Sequence, residues 1–157
     1  MIAIDKFLIE AWYIDEVEKQ ALKWFRRNLF SLNSYVYLAG DTEKHVFPKE
    51  CLDFMNRYIK EAGKEIGGAK DFIIWDNQYG VLIQELIVPA REMDVAFESI
   101  KNAGLIPSGD ETRLIASIIN RLSAWFFWMG RRIYKRLNIE ENYWQGKIEA
   151  FPELYKD

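Results

Sequence analysis

The sequence predicts an α+β fold: a small, mainly antiparallel sheet with a central hairpin, covered by about four helices, the longest near the C-terminus. The first observation behind it is the stretch Phe72 to Val88, closed by Pro89. There, two runs of β-branched, aromatic and aliphatic residues flank the polar segment Asp76-Asn77-Gln78-Tyr79-Gly80, which is how a hairpin is written. The second is a set of stretches on either side whose apolar residues recur at helical spacing. With 157 residues, 50% of them hydrophobic and 15% aromatic, the chain 1–157 is expected to bury a single core as one domain.

Taken in order, Ile2 to Ile4 can form a short strand. From Tyr13 to Leu29, Ile14, Val17, Ala21, Trp24 and Asn28 or Leu29 fall on one helical face, which can extend backwards through Phe7, Leu8, Ala11 and Trp12. Asp15 followed by Glu18 has the spacing of a capping box. Lys23, Arg26 and Arg27 sit in the last turns, where cations meet the negative end of the helix dipole. Ser34 to Leu38 reads as a strand ended by Ala39-Gly40-Asp41. Pro48 suits the first turn of a second helix, on which Leu52, Met55, Ile59 and Ala62 share a face until Gly63 and Gly67-Gly68. After Pro89 a third helix carries Met93, Ala96, Phe97 and Ile100, with Gly104 as its C-terminal cap. Asp110 can cap a long fourth helix from about Glu111 to Leu137. The acidic tail has aromatics Tyr143, Trp144, Phe151 and Tyr155, expected to fold back onto the body.

Net charge is −3, but the charge is unevenly spread. Residues 105 to 137 carry 2 acids and 6 bases, against 17 and 13 before them and 5 and 2 after. No apolar run reaches the length of about 18 residues expected of a membrane span, and the N-terminus lacks the regions of a signal peptide. An intracellular place is therefore expected, the host cytoplasm if the chain is viral. The single Cys51 forbids an internal disulfide, and its position on an apolar helix face reads as inert packing. His45 could act as a base or ligand but has only Asp41 and Glu43 near it in sequence.

Two features point to chemistry. On a helical wheel, Arg113, Arg121, Arg131, Arg132, Lys135 and Arg136 fall within an arc of roughly 140°, with Trp125 and Trp128 among them. Ile115, Ile119, Leu122, Phe126, Ile133 and Leu137 lie opposite. Arginines can hold phosphate oxygens and indoles can stack on bases, so the arc suits nucleic acid. An ordinary solvated helix face and a membrane-surface helix fit it as well. The other feature is Glu85, a carboxylate inside the predicted strand Val81 to Val88. Buried there it must be paired, protonated or metal-bound. Asp76 joins it on one face if the hairpin loop has an even number of residues. Two such acids can hold Mg²⁺ through oxygen ligands, and the metal can generate hydroxide and polarise a phosphodiester. A structural salt bridge to an arginine is the plainer reading of Glu85.

The nuclease pattern of an acid, a spacer and acid-x-Lys is incomplete, because Ile87 stands where the lysine belongs. Lys70 and Arg91 are the nearest cations. In length, in the expected order of elements and in the glutamate within Val81 to Val88, the chain resembles the small nuclease of filamentous archaeal viruses, the lipothrixviruses. The resemblance covers the whole chain. It implies cleavage of linear double-stranded DNA with one essential glutamate, whose match here is Glu85.

The leading expectation is a metal-dependent nuclease of double-stranded DNA. Glu85 and Asp76 serve as catalytic acids and Mg²⁺ ligands, and the arginine arc holds the duplex. Partners on this reading are DNA and, as an open option, a second copy in a homodimer. The alternative is a non-enzymatic module of a virus or mobile element that binds nucleic acid or protein.

Overall fold

The computed structural model describes residues 1–38, 47–144 and 146. Among them are five helices: α1 (Ile2–Glu10), α2 (Glu16–Tyr37), α3 (Lys49–Ile66), α4 (Gln78–Asn102) and α5 (Asp110–Arg136). Two strands of two residues each, β1 (Ile73–Ile74) and β2 (Asn142–Tyr143), pair antiparallel with Ile73 opposite Tyr143 and Ile74 opposite Asn142. The expected α+β fold is thus corrected: the described chain is a helical assembly with a minimal ladder, not a sheet covered by helices.

The correction turns on residues 78 to 88. A run that is apolar on both faces of a strand also fills one face of a helix, and periodicity alone does not separate the two. Here Leu82, Ile83, Leu86, Ile87, Ala90 and Phe97 are buried along a single helix. The polar segment read as a turn is a helix start: the Asn77 side chain accepts hydrogen bonds from the backbone N–H of Tyr79 and of Gly80, at 3.0 Å each. Pro89 lies inside α4. It lacks the N–H that the Glu85 carbonyl would accept from, a defect that costs about 3 kcal/mol in a helix interior. Burial of the α4 face against α5 outweighs it, since each fully buried Leu or Ile contributes about 1.5–3 kcal/mol.

Trp75 explains why two glycines stand inside helices. A Cβ on Gly130 of α5 would meet Ile83 Cγ2 and Trp75 Cη2 at 2.8 Å each, and one on Gly80 of α4 would meet Tyr134 Oη at 2.6 Å and Trp75 Cβ at 2.8 Å. The indole thus sits in a slot between the two helices. Its edge-to-face neighbours are Tyr134 and Phe127, at 5.1 and 5.9 Å between ring centroids.

The N-terminal segment is α1 rather than a strand, with Ile4, Phe7 and Ala11 buried at helical spacing. The capping box of α2 is formed: Glu18 N–H donates to Asp15 Oδ1 at 2.8 Å and Asp15 N–H to Glu18 Oε2 at 3.0 Å. This helix runs on through Ser34 to Tyr37, where a strand was expected. The local β preference of Tyr-Val-Tyr yields to packing, because Leu32 and Tyr35 continue the buried face begun by Leu22 and Phe25. Thr112 Oγ1 donates to the Pro107 carbonyl at 2.6 Å, so the Tyr35 hydroxyl donates to Thr112, also at 2.6 Å.

Pro48 is the N-cap of α3, whose buried residues are Cys51, Met55, Tyr58 and Ala62. Gly104 takes the left-handed turn after α4 with φ +69°. The N-cap of α5 is Gly109 rather than Asp110, which is its first helical residue. Trp125, Met129 and Ile133 of α5 are fully buried. The rings of Phe25, Phe54, Tyr58 and Phe126 surround Trp125 at 5.1–6.1 Å. His45, Asp41, Glu43, Phe151 and Tyr155 lie outside the described residues.

Candidate functional site

Glu85 lies on α4, one helical turn before Pro89, and is not a buried acid. Its side chain is 38% exposed, and its Oε1 accepts a hydrogen bond from Lys6 Nζ of α1 at 2.8 Å. That bond raises the Lys6 ammonium above its ordinary value. Asp76 is exposed ahead of the α4 cap, and its Oδ2 accepts from Asn142 Nδ2 at 2.9 Å. The seven helical steps between Gln78 and Glu85 alone span roughly 10 Å. The two acids therefore do not meet as they would across a hairpin. Among the described residues, no three His, Cys, Asp or Glu side chains gather closely enough to hold a metal ion. Lys70 and Arg91 are both exposed, and Arg91 lines a cleft described below.

The cations in the last turns of the basic arc are tied down by ion pairs, yet of the six only Arg131 is buried; Arg132 is half-buried and Arg113, Arg121, Lys135 and Arg136 are exposed. Arg131 is 2% exposed; its Nε and Nη2 donate to Glu141 at 2.6 and 3.0 Å, and its Nη1 donates to the Gly67 carbonyl at 2.8 Å. It also lies over the Trp128 ring, 4.8 Å from the centroid. Arg132 pairs with Glu65 at 3.0 Å and stacks on Tyr58 at 4.5 Å. Lys135 reaches the same Glu65 at 3.2 Å. Arg136 bonds Glu18 at 2.6 and 2.7 Å and Asp15 at 2.7 Å. Arg113 pairs with Asp110 within the first turn. Arg121 is exposed and has no ion-pair partner among the described residues. Trp125, expected to stack on bases, is fully buried, and Trp128 is half-buried beside Gly63, where an added Cβ would meet its ring at 3.6 Å.

The residue that sequence reasoning missed is Glu18. It is 0% exposed, and its two oxygens accept from Asp15 N–H, the Tyr58 hydroxyl and both terminal nitrogens of Arg136. The capping-box spacing was the signal for its local role; its tie to Arg136 spans 118 positions and has no local signal. Hydrogen bonding to Glu18 raises Arg136 above its ordinary value. Burial, then the charge of Glu18, pushes the Tyr58 hydroxyl up. Burial opposes ionisation of Glu141, but hydrogen bonds from Arg131 and Tyr143 outweigh it and hold that carboxyl below the ordinary 4.5. Glu65 is lowered in the same way, burial being overcome by Lys135 and Arg132. Burial alone pushes the Cys51 thiol up to about 12, where the thiolate is scarce at neutral pH.

The surface also carries a cleft with large apolar groups. About 450 Å³ in volume, it opens between the β1 segment and the α4 and α5 helices, with Phe72, Trp75, Ile87, Val88 and Phe127 among its walls and Asp71, Gln84, Arg91 and Ser123 as its polar members. Phe72 is 75% exposed and Val88 47%. Trp144 packs edge-on to Phe72 at 6.4 Å, and the Trp144 backbone N–H donates to the Phe72 carbonyl at 2.9 Å. No described helix is long and apolar enough to cross a membrane. Neither a protein-family model nor a curated protein matches the chain.

Proposed function

We propose that the chain is a non-enzymatic binding protein that engages a protein partner through the cleft beside β1. One observation carries this reading: Phe72 and Val88 stand 75% and 47% exposed in the walls of one cleft, and Trp144, 46% exposed, packs edge-on to Phe72. A cluster of large apolar groups kept in water at a cleft marks an interaction site, whereas single exposed hydrophobics need no explanation. Arg91 at the wall offers a charged rim contact. The cations that would otherwise bind DNA support the same reading, because four of the six, Arg131, Arg132, Lys135 and Arg136, are held by Glu141, Glu65 and Glu18.

The reading is tested by a photo-crosslinking residue placed at Phe72 and, as a control, at the equally exposed Val95 of α4, 68% exposed. A discrete protein adduct from position 72 and none from position 95 is expected. Equal, diffuse labelling from both would contradict a dedicated surface.

A second reading, hydrolysis of double-stranded DNA with Mg²⁺, keeps one specific observation in its favour. The lysine missing two places after Glu85 is replaced in space by Lys6 of α1, 2.8 Å from the Glu85 carboxylate, so an acid and a cation stand together at the surface. The likeness to the lipothrixvirus nuclease belongs to this reading, although the central strand that contributed to it is helix α4. The test is degradation of linear DNA with and without Mg²⁺ by wild type and Glu85→Gln. Turnover that the substitution abolishes would establish this reading in place of the first, and no turnover by wild type would remove it.

A further inference from the structure

A second cleft, of about 420 Å³, opens on another face of α4, where the end of α1 meets the α4 N-terminus; Lys6, Glu10, Trp12, Tyr13, Gln78 and Tyr79 are among its walls. Three of these walls are aromatic and stand at steep angles. The Tyr13 and Tyr79 rings meet edge to face at 4.8 Å and 86°, and Trp12 meets Tyr13 at 5.7 Å and 76°. Tyr13 is buried and fixed, while Trp12 is 78% exposed, so its indole projects from the rim without serving the core. The charges are equally specific. Lys6 is matched by Glu85 at 2.8 Å, and the α4 N-terminus is already satisfied by the Asn77 side chain. Glu10 is exposed and has no ion pair among the described residues; its charge also acts on Lys6, so Glu10 and Glu85 around the single Lys6 leave one net negative charge at the cleft.

We propose that this aromatic corner binds a quaternary ammonium group of the choline type. Such a cation spreads its charge over methyl groups, is weakly hydrated and is attracted to the negative faces of indole and phenol rings, with a carboxylate supplying the countercharge. A primary ammonium would need several acceptors that ring walls do not provide. A ligand whose only charge is a phosphate would meet Glu10. The site is separate from the Phe72 cleft and does not depend on the protein-binding reading.

The test is a titration of isotopically labelled protein, followed by the Trp12 indole resonance, with choline chloride and with neohexanol, the uncharged carbon analogue of choline. A saturable shift with choline below about 10 mM, and none with neohexanol, is expected. Trp12→Ala and Glu10→Gln, read at the Tyr79 amide, should each weaken binding by about fivefold or more. Trp12 is 78% exposed, and its variant's dispersed spectrum verifies the fold. Phosphatidylcholine vesicles and a trimethyllysine peptide, titrated in parallel, assign the carrier of the group by whichever binds tightest. Equal response to neohexanol, unchanged binding by both variants, or no binding of any of the three cations overturns the proposal.

Discussion

A carboxylate removed from water must recover its solvation from donors, and Glu18 does so with four: Asp15 N–H, the Tyr58 hydroxyl and two nitrogens of Arg136. Glu85, by contrast, keeps 38% of its side chain exposed and one lysine beside it. Exposed pairs of that kind are screened by solvent and add little, whereas losing one member of a buried pair costs about 3–5 kcal/mol. The buried acid inferred at Glu85 is thus found at Glu18. Trp125 makes the same point among the aromatics. Its indole N–H has no hydrogen-bond partner among the described residues, so it serves as a buried ring and not as a base-stacking platform. Trp125→Phe removes the unsatisfied donor along with part of the ring, and these effects oppose each other. A loss of no more than about 1–2 kcal/mol in urea unfolding is expected. A loss as large as that of Trp125→Ala, about 3–5 kcal/mol, would show that the N–H has a partner.

At the scale of elements, the capping box of α2, the extent of α3 and the length of α5 were legible because each is written locally: Asp15 with Glu18, Pro48 before a periodic face, an apolar stripe from Ile115 to Ile133. The end of α2 and the first half of α4 were not. Tyr35-Val36-Tyr37 and Val81 to Val88 carry β-forming residues whose state is decided by what they pack against. The wheel of α5 misled for a related reason: a helix covered by both α3 and α4 has no single solvent face, so Trp125 and Arg131 on the supposed outer arc are buried. The Trp75 slot tests the packing of α4 on α5. Gly130→Ala gains up to about 1 kcal/mol of helix propensity, but the new methyl meets Ile83 and Trp75 at 2.8 Å. A net loss of about 1–3 kcal/mol is expected in chemical denaturation, and a stabilised variant would contradict the slot.

The return of the chain from α5 to β2 rests on Arg131 and Glu141, and its pH dependence has a definite sign. Glu141 and Glu65 are depressed below 4.5. Their contribution is fully present above the unfolded glutamate value of about 4.3 and is lost as pH falls through the lower folded values. Melting temperature should therefore drop below about pH 4.5. The gap between wild type and Glu141→Gln, open at pH 7, should narrow over the same range. A gap constant down to pH 2 would contradict the depressed Glu141 carboxyl.

At the scale of the whole molecule, a net charge of −3 and a basic segment resolve into one arrangement. The cations of the last turns of α5 are used on Glu65, Glu141, Glu18 and Asp15, which ties α5 to α3, to the β2 segment and to α2. The two surfaces proposed for partners, the Phe72 cleft and the Trp12 corner, lie apart from these pairs, and Arg121 of the arc stays exposed without an ion pair among the described residues. The expected nuclease surface was composed from residue types in sequence, and the types were present. Their pairing depends on which acids the fold returns to them, and that is a property of contacts far apart in the chain. The internal use of the arginine arc is tested most directly by a double-mutant cycle on Glu18→Gln and Arg136→Gln, measured by urea unfolding at pH 7. A coupling of at least about 2 kcal/mol between the two sites is the expected result. Substitutions that add to within about 0.5 kcal/mol would leave Arg136 free of Glu18 and contradict the account.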